Sequence, residues 1–272
     1  MKTRSILRAA GALVVAGSLM LTQAAPKQPT LKSKKEQDAY MAIVNAPDAN
    51  ARMAAIDDFL VKFADTELKP VVLVIAAETA QSQNNFEKMM IYAERALEAD
   101  PESYQSMLMI SRGIAARTRE FDLDKEEKLS KADKYANSAL VLIAKAEKPN
   151  AQVTDEQWTA AKKDYAATAH EALGLSAMVR KKYDVAITEL KAAVDGGATP
   201  DQSSMVRLAS AYNFAGKPDE AIATVDKVLA LPDLNPQVKQ VATMEKDKAT
   251  KLKSGGKPPA AAPPSQVEVK KP

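Results

Sequence analysis

His170 is the only histidine among 272 residues, and cysteine is absent. Those two facts remove most of the chemistry a side chain can offer. A transition-metal site draws on several His, Cys or carboxylate ligands, and a thiol nucleophile needs a Cys. A lone His has no partner spaced to activate it as a general base, so His170 reads as packing between helices. The acidic run "DLDKEE", 122–127, has the charge of a Ca²⁺ loop. It lacks the Gly at the turn and the Glu at the terminal position, and reads as a solvated corner. No Gly-rich phosphate loop follows a strand pattern anywhere. Trp158, the single Trp, reads as a packing residue. The expectation is a protein that is not an enzyme, with no metal and no cofactor, whose function lies in its surface.

The ends of the chain carry the addressing signals. "MKTRSILR" supplies Lys2, Arg4 and Arg8, a short apolar run follows, and "TQAAP" offers small residues for cleavage after Ala24. This is the pattern of a secretory signal peptide over 1–24, too short in its apolar part for a spanning helix. No other segment approaches a membrane span, so no transmembrane span is expected after signal cleavage. A periplasmic or secreted location follows as the expectation. The formal net charge of +3 sits at the ends. Residues 1–24 contribute three basic residues and no acid, and the segment from Lys251 onward has five Lys and one Glu. The body between is acidic by four charges, a poor match for phosphates, so no nucleic acid partner is expected.

Those surfaces must be positioned by helices. Ala is the recurrent small residue, aromatics are 5%, and there are 9 Gly, a balance that favours helix. In "MVRLASAYNFAGKPDEAIATVDKVLALPDLNP", 205–236, apolar residues fall at helical spacing on both sides of Gly216. Gly216 suits the left-handed residue that ends a helix, and Pro218 the first turn of the next. The pattern recurs one unit earlier: Leu173 matches Leu208 and Ala186 matches Ala221, with Lys182-Tyr183-Asp184 at the corner. A third copy spans 73–101, with Asn84-Asn85 at its corner. A fourth pairs 107–118 with 131–143 across the charged extension "REFDLDKEE", and a weaker half-unit covers 38–69. "PVVLVIAA", 70–77, has strand propensity but is assigned helix by the repeat frame. The next first helix is elongated, starting near Asp155, and Asn235-Pro236 opens a polar closing helix to about Leu252.

Leu173-Gly174, Leu208-Ala209, Tyr212, Ala186, Ala221 and Pro200 are the residues by which this chain resembles the tetratricopeptide repeat family. The resemblance covers about 34–235. It implies an all-α, right-handed solenoid of helical hairpins with a C-terminal capping helix. The organisation expected is a signal peptide at 1–24, a linker at 25–33, the repeat domain at 34–252 and a Pro/Lys-rich disordered tail at 253–272. In that family the first helices line a concave groove that holds a protein or peptide partner. The groove positions carry over to Val71, Val74, Glu78 and Gln81, then to Gln105, Leu108 and Arg112. They continue with Glu171, Leu175 and Met178, and end with Ser203, Val206, Ser210 and Asn213. The Lys/Asn/Arg set that clamps a terminal carboxylate in some members is absent, and Arg112 and Arg207 stand as isolated cations.

The leading functional expectation is an exported adaptor that binds a protein segment in this groove. "FLVKFADTELK" also looks like the variety of this repeat found in bacterial envelope assembly proteins. The alternative is a structural envelope- or cell-wall-associated protein acting through the basic Pro-rich tail. The sequence leaves the oligomeric state open.

Overall fold

The computed structural model describes residues 31–199 and 201–258. The segment expected to be a signal peptide, most of the expected linker, Pro200 and the residues beyond Pro258 lie outside the described residues. Eleven helices and no strands occur among the described residues. Five hairpins run in chain order: α1 (Lys34–Val44) with α2 (Ala49–Lys62), α3 (Lys69–Ser82) with α4 (Phe86–Ala99), and α5 (Tyr104–Arg117) with α6 (Lys125–Lys145). They continue with α7 (Asp155–Val179) and α8 (Tyr183–Gly196), then α9 (Gln202–Phe214) and α10 (Pro218–Leu229). The last helix, α11 (Pro236–Lys253), packs on both α9 and α10. Each hairpin touches its neighbours in sequence, the one-dimensional stacking of a solenoid.

The corners show why the hairpins repeat. Asn84, Lys181 and Gly216 have φ of 56°, 60° and 70°, the left-handed conformation that terminates a helix. The residue after each returns its N–H to a carbonyl of the finished helix. Asn85, Lys182 and Lys217 reach Ala80, Ala177 and Tyr212, each at 2.9 Å. Glycine takes this conformation without strain, and Asn tolerates it. Lys181 adopts it despite its Cβ, and its amine finds Glu120 at 2.5 Å.

α3 settles the conflict in "PVVLVIAA". Pro70 sits in its first turn, and Val72, Leu73, Ala76 and Ala77 are fully buried. Burial from several sides overrides the β-branched preference. Two boundaries differ from the sequence reading. The segment 38–69 makes a complete hairpin, because Asp48 caps α2 by accepting the N–H groups of Asn50 and Ala51 at 2.8 Å. α6 begins at Lys125, so the corner loop is shorter than "REFDLDKEE". Glu126 and Glu127 belong to the first turn of α6, where the helix dipole favours acids.

The core is a chain of small clusters rather than one mass. Ile43, Ile56, Phe59 and Val72 lock the first two hairpins. Ala77, Ala93 and Ile110 bury the next junction, and Ala136, Ala139 and Ala169 bring α5, α6 and α7 together. Alanine at these contacts lets helix axes approach closely. The extra length of α7 is used at its start. A capping box joins Thr154 and Gln157, Trp158 Nε1 donates to Ala146 O at 3.2 Å, and Lys162 reaches Ala144 O at 2.9 Å. That amine lies on the negative end of α6.

Candidate partner-binding face

The first helices of the hairpins divide the expected groove residues into two groups. Val71 is 39% exposed, and Glu78 and Gln81 on the same helix are also exposed. Gln105, Arg112, Met178 and Ser210 are half-buried. Val74, Leu108, Glu171, Leu175, Ser203, Val206 and Asn213 are buried. Several of these are accounted for by neighbours. Leu108 packs with Ala136 and Ala169, Leu175 with Ala115 and Ala132, and Val206 with Val238 and Ala242 of α11. Asn213 Nδ2 donates to Glu245 O at 2.9 Å and to Glu245 Oε2 at 2.8 Å, closing α9 against the capping helix. The open part of this face is therefore on α3 and α5, with Met178 and Ser210 farther along.

Arg112 and Arg207 are not isolated. Both donate to the buried carboxylate of Glu171: Arg112 Nε reaches Oε2 at 2.6 Å, and Arg207 Nη1 reaches Oε1. Ser204 Oγ donates to the same Oε1 at 3.1 Å. One carboxylate thus ties α5, α7 and α9, three first helices from successive hairpins. Burial, and secondarily the charge of Arg112, pushes the Arg207 guanidinium down to about 9. It remains a cation at neutral pH, and Glu171 is the anion that compensates it. Burial also lowers Arg112, while Asp201 acts in the opposite direction. Asp201 itself caps α9 through the N–H groups of Ser203 and Ser204. The Arg112 side chain is 35% exposed, so one flank of the cluster reaches the surface.

Glu78 gives the open stretch its charge. Its side chain reaches water, yet the surrounding helices desolvate it enough to raise its carboxyl, against the pull of Arg52. Val71, Glu78 and Gln81 then offer an apolar contact, a responsive acid and an amide within three turns of α3. Such a mixed strip suits an extended or helical peptide more than a small polar molecule.

His170 Nδ1 is 2.8 Å from Glu189 Oε2, a link between α7 and α8. No group of three or more His, Asp or Glu that could hold a metal occurs among the described residues. No helix among them is long and apolar enough to cross a membrane. The sequence reading missed two features. Phe121 and Leu123 project from the α5–α6 corner, where the neighbouring acids alone drew attention. Tyr183 and Phe214 stack with ring centroids 5.3 Å apart, although one opens α8 and the other closes α9.

Residues 72–103 match the family model described as Tetratricopeptide repeat, and they span most of the α3–α4 hairpin. No curated protein matches the chain. Among solved structures, a thermophilic TPR protein of Thermus thermophilus is similar at 19% identity, over 77% of this chain and 98% of that one, with a TM-score of 0.49. The match at 72–103 falls on one of the five stacked hairpins, and together the hairpins form an all-α solenoid among the described residues.

Proposed function

We propose that this chain is an exported, non-catalytic scaffold that holds a segment of a partner protein on the first-helix face of its solenoid. The observation that carries the reading is the distribution of exposure on that face. α3 and α5 leave Val71, Glu78, Gln81, Gln105 and Arg112 accessible, while the far end is shut by α11. Arg112 is held in place by Glu171 rather than free to wander, so it meets a partner with little ordering cost. Export rests on the charged, apolar and small-residue order of 1–24. The apolar contact at Val71 favours a protein segment, and the acidic body of the chain disfavours nucleic acid.

The test is affinity co-purification from the native host with the full chain and a Val71→Asp/Glu78→Lys variant. Both positions are exposed, so helical content is expected to be unchanged. Recovery of the specific partner should fall at least tenfold, about 1.4 kcal/mol of binding. Equal recovery by the variant removes the first-helix face as the site. Fractionation of the full chain beside a version lacking 2–24 tests export: only the first should leave the cytoplasm.

A further inference from the structure

The end of α11 is built to turn the chain back. Gly255 has a φ of 93°, and its N–H donates to Leu252 O at 3.0 Å. Gly256 N–H donates to Lys251 O at 2.9 Å, which completes the paired bonds of a Schellman cap. A Cβ on Gly256 would stand 2.7 Å from that same Lys251 O, so the reversal needs glycine there. Lys253 Nζ holds the last turn to Asp219 Oδ1 at 2.6 Å. The reversed chain brings Pro258 to the α9–α10 corner, its Cγ 4.0 Å from where a Cβ on Gly216 would stand. The segment 259–272 continues from that point.

An open cavity of about 480 Å³ lies beside this corner. Phe214 and Ala215, which precede Gly216, line one wall, and Lys181 to Val185 of the α7–α8 corner line the other. The Tyr183 and Phe214 rings stack there with their planes 15° apart, and Val185 is 49% exposed. The charges at the rim are largely answered within the chain. Lys181 pairs with Glu120 at 2.5 Å, and Asp184 with Lys217 at 2.9 Å. An uncharged occupant therefore suits this wall better than a charged one.

We propose that the segment 259–264 of the same chain, PAAAPP, lies across this cavity as a strap on the Tyr183–Phe214 rings. It holds three Pro, three Ala and no charge. Such a segment favours the polyproline II form, at about 3.1 Å per residue, so its six residues span about 19 Å. Neighbouring helices pack about 8–10 Å apart, and the strap therefore covers about two helix positions from Pro258. Polyproline II segments seat Pro rings on aromatic faces. Their backbone carbonyls have no internal partner, and the Lys182 amine and Tyr183 hydroxyl at the cavity are donors for them. Tethering decides between occupants. A short link gives an effective concentration on the order of millimolar, which a free Pro-rich segment from another protein would have to exceed. The strap joins α8, α9 and α11, and it uses none of the residues of the partner strip on α3 and α5.

The absence of native Cys makes the test direct. The full chain carrying Ser265→Cys and Val185→Cys is oxidised with glutathione disulfide at low protein concentration. A disulfide within one chain is expected. Its rate should fall at least tenfold, about 1.4 kcal/mol of docking, when Pro259→Ser, Pro263→Ser and Pro264→Ser are added. Those changes keep the length and charge of the tether. Equal rates in the two chains overturn the proposal, because the tail then reaches the corner by its length alone. A disulfide formed only between chains overturns it in favour of a second copy's tail. Absence of any disulfide, with circular dichroism unchanged, overturns it as well.

Discussion

Glu171→Gln is expected to destabilise the protein by about 3 kcal/mol, the low end of the cost of breaking a buried ion pair. The glutamine keeps the shape but loses the charge that two guanidiniums share. Arg112 can turn its exposed flank to water. Arg207 cannot, because it is buried and its Nε already has no hydrogen-bond partner. The unpaired cation then sits between hairpins, so the α9–α11 end should separate before the rest. Thermal unfolding followed by circular dichroism should show a loss of roughly 10 °C, given the usual shift per kcal/mol for a chain of this size. Adding Arg207→Met should recover part of that loss by removing the stranded charge. If Arg207→Met fails to restore anything, the destabilisation has another origin than charge burial.

Gly174→Val has a comparable effect through packing alone. A Cβ at Gly174 would stand 2.6 Å from Leu190 Cγ, closer than real side chains approach, and 3.3 Å from Leu190 N, a tight contact. Leu190 is fully buried at the α7–α8 contact. Valine therefore pushes α8 away from α7, at about 3 kcal/mol, the upper range for overpacking. Gly174→Ala is the sharper control. In an open helix that change stabilises by about 1 kcal/mol; here the clash should reverse the sign. Urea unfolding reads both variants, and a stabilised alanine variant would mean that α7 and α8 are farther apart than described.

Three corners were legible because the α3–α4, α7–α8 and α9–α10 hairpins repeat one backbone device, and Gly216 and Asn84 are residues that suit it. Lys181 is the same device in a residue that gives no such signal, and only the period located it. The start of α7 at Asp155 was legible from Thr154 and Gln157, a cap with a local cause. α3 needed the frame of the other repeats, because its own residues favour strand. The site was harder to read. Family spacing picks out the first helices, and it cannot tell which of their residues a neighbouring helix will cover. Val206 and Asn213 are covered by α11, and Leu108 and Leu175 by flanking helices. Arg112 and Arg207 appeared isolated because their shared carboxylate lies 59 and 36 residues away along the chain. Such a cluster depends on the stacking of three hairpins, which no local pattern encodes.

The most direct measurement is site-specific photocrosslinking in the native host, with the reactive residue at Gln81 on α3 and, separately, at Val141 on the second helix α6. Both positions are exposed, so neither substitution should disturb the fold. The account predicts a defined adduct from Gln81, absent from Val141 and lost when Val71→Asp/Glu78→Lys is introduced beside it. The same adduct from Val141, or its persistence in that variant, would contradict a partner held on the first-helix face.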